Sequence, residues 1–92
     1  MNKKHYAYLV KCADNSYYGG YTTNPIKREK HHNMGKGAKY TRSRLPVELV
    51  YFEEFDEKSD ALKREASLKK LSHQEKETLS KQFNLKAHLP ML

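Results

Sequence analysis

Two tyrosine-rich segments near the start of the chain constrain its fold more than any other feature. Tyr6 to Cys12 and Ser16 to Thr22 are rich in the aromatic and β-branched residues that strands favour. Between them stand Ala13-Asp14-Asn15, of which Asp and Asn readily adopt turns and left-handed backbone. The sequence therefore predicts an antiparallel β-hairpin at this end of the chain.

The length of the hairpin loop decides which side chains share a face of the sheet. A three-residue loop sets Tyr8 opposite Gly20. It also sets Val10 opposite Tyr18, so that Tyr8 and Tyr18 point to the same side. A two-residue loop would place the two tyrosines on opposite faces. We predict the three-residue loop, because it brings two phenol groups to one site.

A helix is predicted to follow the hairpin, from about Pro25 to Asn33. Asn24 can cap it, and a proline at the first helical position loses no hydrogen bond through its missing amide hydrogen. This helix places Arg28 and His32 one turn apart on one face, where both can contact the same phosphate. The alternative is that both are solvated polar residues on an exposed helix. The nearby tyrosines favour the site.

The segment from Met34 to Arg44 is predicted to be a loop, because it is polar and contains two glycines. Its backbone amides, hydroxyls and cations suit contacts with phosphate, and one aromatic ring could stack on a base. The residues predicted to bind nucleic acid are Lys36, Lys39, Tyr40, Arg42 and Arg44. The alternative is a mobile, solvated loop that keeps the protein soluble.

The second half of the chain completes the predicted fold. Val47 to Phe55 has apolar residues on both faces, as expected of a central strand, and should join the hairpin. Ser59 can cap a helix that runs to about Leu71, and Ser72 with Glu75 forms a capping box for a last helix. We therefore predict an α+β fold with a three-stranded antiparallel sheet, made of the hairpin plus a central strand. About three helices flank it, in the order β-β-α-β-α-α.

The domain organisation expected from the length of the chain is a single unit. Ninety-two residues allow one modest core. We assign one domain to residues 1–83 and a loosely ordered tail to residues 84–92.

Glu65 stands within the apolar stripe of the predicted third helix. The stripe consists of Ala61, Leu62, Ala66, Leu68 and Leu71. A carboxylate in such a position needs a partner to offset its loss of hydration. An Arg or Lys partner would give it a structural role, whereas a magnesium or manganese ion shared with a phosphate oxygen would give it a functional one. The spacing leaves both open.

Taken together, these segments resemble the GIY-YIG nuclease superfamily. Tyr6-Ala7-Tyr8 resembles the motif of the first strand, and Tyr18-Gly19-Gly20 resembles that of the second. Arg28 and His32 resemble the pair on the following helix, and Glu65 matches a later glutamate that holds a divalent metal in family members. No single motif is specific, but their order and spacing are.

The resemblance extends from about Tyr6 to Leu71. The run Gly35-Lys36-Gly37-Ala38-Lys39 is similar to that of the small, single-domain, uncharacterised bacterial branch of the superfamily. Larger members carry additional recognition domains, for which 92 residues leave no room. Specificity is therefore expected to come from loop contacts, a dimer or a partner protein.

The resemblance implies a metal-dependent endonuclease that hydrolyses phosphodiester bonds, with DNA favoured as substrate. Tyr18 would be the general base, with Tyr8 orienting the water or sharing that role, and Arg28 would stabilise charge on the phosphoryl oxygens. His32 would serve as a positioning group or as a proton donor, and Glu65 would hold Mg²⁺ or Mn²⁺. Since a free phenol has a pKa of about 10, we expect Arg28 and the metal to lower the pKa of the catalytic tyrosine.

Charge supports a polyanionic partner. The net charge is +7, and Lys27 to Arg44 contains seven basic residues and one acid, whereas Glu53 to Asp60 contains five acids and one lysine. This asymmetry predicts one basic face. Two alternatives to the enzyme are a catalytically silent nucleic-acid-binding module of the same fold and an adaptor for an acidic protein. Salt-sensitive binding to nucleic acid would exclude the adaptor.

The sequence also lacks the features that are typical of membrane-spanning and secreted proteins. No apolar run approaches the roughly 20 residues that span a bilayer, and the N-terminus lacks the apolar stretch of a signal peptide. We therefore expect a cytoplasmic protein without a membrane partner. The one cysteine, Cys12, is expected to be an inert packing residue.

Overall fold

The computed structural model of the protein describes residues 3–83, so the predicted tail lies outside the described residues. Its elements are β1 (His5–Lys11), β2 (Tyr17–Thr22), α1 (Pro25–Asn33), α2 (Lys39–Arg42), β3 (Glu48–Phe55), α3 (Lys58–Lys69) and α4 (His73–Gln82). The α+β class and the order of the strands and three long helices are confirmed. In addition, the short helix α2 lies within the segment predicted to be a loop. None of the helices in residues 3–83 has the length and apolarity that a bilayer crossing requires.

The hairpin has the predicted register. Tyr8 lies opposite Gly20, and Val10 lies opposite Tyr18. Asn15 in the loop has a φ of 67°, the left-handed conformation that Asn tolerates better than most residues. The three-residue loop is therefore confirmed, and Tyr8 and Tyr18 share a face of the sheet.

The order of strands in the sheet is β2-β1-β3, so the prediction that β3 is the central strand is wrong. β1 is central, and its five middle residues are all buried. The outer edge of β3 is covered by α1. The Asn33 side chain exchanges two hydrogen bonds with the backbone of Val47, and Glu29 accepts one from the amide of Leu49. These bonds satisfy backbone groups at the start of β3 that would otherwise be open to pairing. The strand is apolar on both faces because its side chains pack on both sides of the sheet.

The sheet separates two apolar clusters. On the face covered by α1, the buried residues are Tyr6, Tyr8, Val10, Cys12, Val47, Leu49 and Phe52. On the face covered by α3, they are Ala7, Leu9 and Leu68. Alternate residues of β1 thus point to opposite helices, as the twofold period of a strand requires. Tyr8 lies on the α1 side, and Cys12 is buried there, where a packing role was expected.

The start of α1 is as predicted, whereas the start of α3 is not. The Asn24 side chain accepts a hydrogen bond from the amide of Lys27 and caps α1. Helix α3 begins at Lys58 after Glu57, so Ser59 lies in its first turn and is not its cap. The capping box of Ser72 and Glu75 at the start of α4 is confirmed by both of its hydrogen bonds, which measure 2.9 and 3.1 Å.

The apolar stripe predicted for α3 is only partly correct. Ala61 and Leu68 are buried against the sheet, but Leu62 is 40% exposed and Ala66 is exposed as well. Positions 61, 65 and 68 therefore define the face that meets the sheet, with the spacing of one helical stripe. Glu65 lies on this face and is half-buried.

Candidate active site

Three side chains predicted for the site meet between β1 and α1. The Tyr8 hydroxyl oxygen lies 2.8 Å from Nε2 of His32. Nε of Arg28 donates to the same oxygen at 3.4 Å. Tyr8 is 1% exposed and His32 is fully buried. The strand supplies the phenol, and the helix supplies the guanidinium and the imidazole, as predicted from their one-turn spacing.

The second ring nitrogen of His32 contacts a residue that was not predicted. Its Nδ1 lies 2.9 Å from Oγ1 of Thr41, and this hydroxyl donates to the Ala38 carbonyl at 2.9 Å. Thr41 is fully buried. It was missed because it stands in a polar, glycine-containing segment that reads as a solvated loop. The signal that could have found it is Gly37, since a glycine often marks close approach of the backbone to another group.

Two glycines leave space for the site. A Cβ at Gly20 would lie 2.4 Å from the Tyr8 hydroxyl oxygen, and one at Gly37 would lie 2.0 Å from Nδ1 of His32. Both distances are shorter than atoms can approach without a shift. At Gly19 a Cβ would meet its nearest neighbours at 3.5 Å, which is ordinary contact. Close packing at the site therefore requires glycine at positions 20 and 37. It does not require glycine at position 19.

Burial controls the protonation of the two buried residues. It lowers the pKa of His32 to about 4, with help from the nearby charges of Arg28 and His31, so the imidazole is neutral near pH 7. Burial also raises the pKa of Tyr8, although the hydrogen bond and charge of Arg28 act in the opposite direction. At Tyr8 loss of hydration outweighs the guanidinium, whereas the lower pKa expected of the catalytic tyrosine also required a metal and stays a prediction. Tyr8 is a protonated hydrogen-bond donor.

Tyr18 connects the site to the segment that follows α1. Its ring lies edge-on to His32, with centroids 5.7 Å apart, and stacks on Tyr40 at 5.8 Å. The guanidinium carbon of Arg44 lies 3.8 Å from the centroid of the Tyr40 ring. Tyr18 is half-buried. It therefore borders the site, while Tyr8 lies inside it.

Glu65 forms an ion pair with a lysine of its own helix. Its Oε2 lies 3.4 Å from Nζ of Lys69, and its side chain is 22% exposed. The charge of Glu65 also makes a small contribution to the raised pKa of Tyr8. The lysine partner, one of two alternatives left open by the sequence, is present.

The chemistry of Glu65 also fits a divalent cation. No group of three or more His, Cys, Asp or Glu side chains within residues 3–83 is arranged to hold a metal. A cation bound by Glu65 would therefore have at most two such side chains of the described residues as ligands and would take the others from water and phosphate. Mg²⁺ is commonly bound in this way, through one or two carboxylates together with substrate phosphates.

The five residues predicted to bind nucleic acid lie on the segment that covers His32. Lys36, Lys39, Tyr40 and Arg42 are exposed. Arg44 is already engaged, because its Nε donates to Asp14 at 3.1 Å and its Nη1 donates to the Tyr40 carbonyl at 2.8 Å. The prediction of a loop is wrong at residues 39–42. Here the amides of Thr41 and Arg42 bond the Ala38 carbonyl and form the turn of α2.

An open groove of about 420 Å³ lies beside the cluster, and it was not predicted. It runs between the end of β2 and the outer side of α1, and it is lined by Thr22, Thr23, Asn24, Lys27, Arg28, Lys30, His31 and Met34. Arg28 belongs to both the groove and the cluster, since it also contacts Tyr8. Lys27 and Lys30 are exposed along it. Arg28 is thus the residue through which the groove adjoins the buried phenol.

Similar proteins are found both by sequence and by structure. The profile of the GIY-YIG catalytic domain matches residues 4–78. A UPF0213 protein of Staphylococcus haemolyticus is 59% identical over 73 residues, which make up 79% of this chain and 89% of that protein. One from Listeria monocytogenes serotype 4b is 53% identical over 74 residues, or 80% of this chain and 83% of that protein. The solution NMR structure of a UPF0213 protein from Bacillus halodurans has a TM-score of 0.52 at 47% identity, covering 83% of this chain and 81% of that one.

Proposed function

This chain belongs to the GIY-YIG catalytic domain family, and we propose that it is a metal-dependent endonuclease that hydrolyses phosphodiester bonds in nucleic acid, with DNA favoured. The family was predicted from the tyrosine segments, the α1 pair and Glu65, and this prediction is confirmed. The relatives place the chain in a branch of small proteins, since it matches them over most of their length. Hydrolysis, the metal and the preference for DNA are the proposal.

The observation that carries the proposal is the contact of Tyr8 with both His32 and Arg28, of which Arg28 also lines the groove. A buried phenol, a neutral imidazole and a guanidinium are costly to bring together unless each is hydrogen-bonded. Their convergence beside an open, cationic groove favours catalysis over packing. Gly20 leaves room for the Tyr8 hydroxyl, since a Cβ at this position would lie 2.4 Å from it.

In the proposed reaction Tyr8 takes a proton from the attacking water. Because the Tyr8 hydroxyl is hydrogen-bonded to Nε2 of His32, it passes its own proton to that nitrogen as it gains one from water. The water oxygen then bonds to phosphorus, and the bond from phosphorus to the leaving oxygen breaks. The leaving oxygen keeps the electron pair of that bond and takes a proton from solvent. His32 returns its proton through the Tyr8 hydroxyl, because its own ring is fully buried. We therefore prefer Tyr8 to Tyr18 as the base, since the imidazole acceptor contacts Tyr8 directly.

Two further residues would stabilise the developing charge. Arg28 lines the groove and contacts Tyr8, so its guanidinium can bind a phosphoryl oxygen beside the attacking water. Glu65 would hold Mg²⁺ or Mn²⁺, which supplies charge neutralisation at the phosphate when bound. Lys69 would have to give up its ion pair with Glu65 to make this possible.

Nucleic acid would lie along the groove and the neighbouring segment 36–42. Lys27 and Lys30 are exposed and line the groove together with Arg28, and Lys36 and Lys39 are exposed on the segment that follows α1. Phosphate contacts of this kind supply most of the affinity of sequence-independent binding. The net charge of +7 supports the same partner.

A silent nucleic-acid-binding module is the second candidate, and the Glu65–Lys69 ion pair favours it. If this pair persists, the carboxylate is not free for a cation, and the basic groove would bind without cleaving. The two functions make opposite predictions for turnover and the same prediction for binding.

Cleavage and binding assays separate the two candidates. Supercoiled plasmid and labelled branched or single-stranded oligonucleotides are incubated with Mg²⁺ or Mn²⁺ and with wild type, Arg28→Ala or Glu65→Ala. The nuclease predicts metal-dependent cutting that is lost in both variants. Equal residual cutting by all three proteins would indicate a contaminant. Salt-sensitive binding without cutting would establish the silent module.

A further inference from the structure

Thr41 is buried beside His32 and contacts neither the groove nor the Tyr8 hydroxyl. We propose that Thr41 is a positioning residue that holds the His32 ring in the tautomer with its proton on Nδ1, leaving Nε2 free to accept the Tyr8 proton. The catalytic consequence rests on the proposed nuclease function. The tautomer itself does not, because it follows from hydrogen bonds within the folded chain.

The argument begins at the Thr41 end of the hydrogen-bond chain. Oγ1 of Thr41 lies 2.9 Å from the Ala38 carbonyl oxygen and 2.9 Å from Nδ1 of His32. A hydroxyl has one proton, and a carbonyl oxygen can only accept. When the Thr41 proton is donated to Ala38, its oxygen is an acceptor, and Nδ1 must supply the proton between them.

The hydrogen bonds at the Tyr8 end independently give the same direction of proton donation. The Tyr8 hydroxyl oxygen is approached by Nε of Arg28, and a guanidinium can only donate. Arg28 thus offers no acceptor for the buried Tyr8 proton, and the acceptor within reach is Nε2 of His32, 2.8 Å away, which can accept only if it carries no proton. Both ends thus give one chain of donation, from Tyr8 to His32 to Thr41 to Ala38.

The local backbone holds Thr41 in this position. The amide of Thr41 also donates to the Ala38 carbonyl, which closes the turn at the start of α2. Gly37, one residue earlier, has no side chain, and a Cβ there would lie 2.0 Å from Nδ1 of His32. The segment can therefore close over the ring. The threonine hydroxyl thus sets the tautomer of the imidazole. In other histidine sites a carboxylate or a backbone carbonyl has this role.

The opposite tautomer would oppose the proposed chemistry. With its proton on Nε2, His32 would donate to the Tyr8 oxygen and could not take the Tyr8 proton. A tyrosine base coupled to His32 therefore requires the Nδ1–H form. Loss of the Thr41 hydroxyl should lower kcat, while KM should not change because Thr41 lies outside the groove.

The test is a long-range ¹H–¹⁵N NMR correlation of the ring nitrogens in the full chain at neutral pH, without nucleic acid. The His32 ring is assigned through its own Cβ protons. We expect Nδ1 of wild type to give the shift of a protonated nitrogen and Nε2 that of an unprotonated one. Thr41→Val, which keeps the shape but removes the hydroxyl, should mix or invert the two forms, and Thr41→Ser should restore the wild-type pattern.

Three results would overturn the proposal: an Nε2–H tautomer in wild type, an unchanged tautomer in Thr41→Val, or failure of Thr41→Ser to retain it. If Thr41→Val does not fold, the wild-type and Thr41→Ser spectra still decide. With a cleavable substrate, kcat of Thr41→Val should fall by about tenfold or more at constant KM. Absence of cleavage by wild type would count against the nuclease and leave the tautomer result standing.

Discussion

Nε2 of His32 lies 2.8 Å from the hydroxyl oxygen of Tyr8, and at most 1% of either residue is exposed. This contact links β1 to α1 across the core of the site. It also makes the stability of the fold depend on the protonation of His32, since an imidazolium at that place would lose its hydration and its role as acceptor for Tyr8.

The pH dependence of stability is the first prediction. Burial lowers the pKa of His32 to about 4, below its ordinary value of 6.5. Between these values the unfolded chain binds a proton that the folded chain does not, so stability falls as the pH is lowered through this window. The free energy of unfolding should drop by up to roughly 3 kcal/mol between pH 7 and pH 4 from this group. Urea unfolding across this range measures it.

His32→Gln is the control for this pH dependence. The glutamine does not titrate, so the part of the slope that belongs to His32 should disappear. Carboxylates with lowered pKa, such as Asp14 and Asp56, titrate in both proteins and cancel in the difference. Identical slopes for the two proteins between pH 6.5 and 4.5 would contradict a neutral, buried His32.

The two adjacent glycines of β2 should respond differently to alanine. In Gly20→Ala the new methyl would meet the Tyr8 hydroxyl at 2.4 Å, whereas in Gly19→Ala it would meet Leu9 at 3.5 Å. We expect Gly20→Ala to destabilise by roughly 1–3 kcal/mol through overpacking and to impair the site. Gly19→Ala should be tolerated. Urea midpoints measure both, and equal effects would mean that Gly20 does not limit the packing of Tyr8.

Lys27 and Lys30 should bind nucleic acid along the groove. Each alanine substitution should weaken binding to any sequence and reduce the slope of log affinity against log salt by about 0.7–0.9. Lys63→Ala removes the same charge from the exposed side of α3 and serves as the control. Fluorescence anisotropy at several salt concentrations gives the slopes. If Lys63→Ala has the same effect, net charge explains the binding and the groove does not.

Substitutions of Glu65 and of Lys69 should have different effects on metal-dependent cleavage and on the affinity for the cation. Glu65→Gln should lower metal-dependent cleavage by about a hundredfold or more while sparing binding, because charge stabilisation at the phosphate is lost. Lys69→Gln removes the ion pair and should keep or increase the affinity for the cation. Titration of Mn²⁺, followed by paramagnetic broadening of nearby NMR signals, measures this without relying on turnover. Broadening that is unchanged in Glu65→Gln would place the cation elsewhere.

Much of the fold could be predicted from local patterns. The hairpin register followed from the three-residue loop, and the start of α1 followed from Asn24 and Pro25, because these features depend on neighbours in sequence. The position of β3 at the edge could not be predicted. It depends on Glu29 and Asn33, whose bonds to the strand cross 14 to 20 residues of chain.

The sequence predicted several residues of the site but not all of the contacts between them. Spacing and resemblance pointed to Tyr8, Arg28 and His32, and the structure brings these three together. Thr41 was missed because a buried hydroxyl within a polar segment has the sequence signature of a solvated one. The raised pKa of Tyr8 was also missed, since the depth of a phenol in the core is a property of packing.

The central claim is that Tyr8 takes part in phosphodiester cleavage, and single-turnover cleavage by Tyr8→Phe and Tyr6→Phe tests it most directly. Both tyrosines are buried on the same face of β1, but the Tyr6 hydroxyl donates to Glu54 and lies outside the site. Tyr8→Phe should lose about a hundredfold or more of the cleavage rate, as expected for removal of a general base, while Tyr6→Phe stays near wild type. Tyr8→Phe cleaving as fast as Tyr6→Phe would contradict the claim.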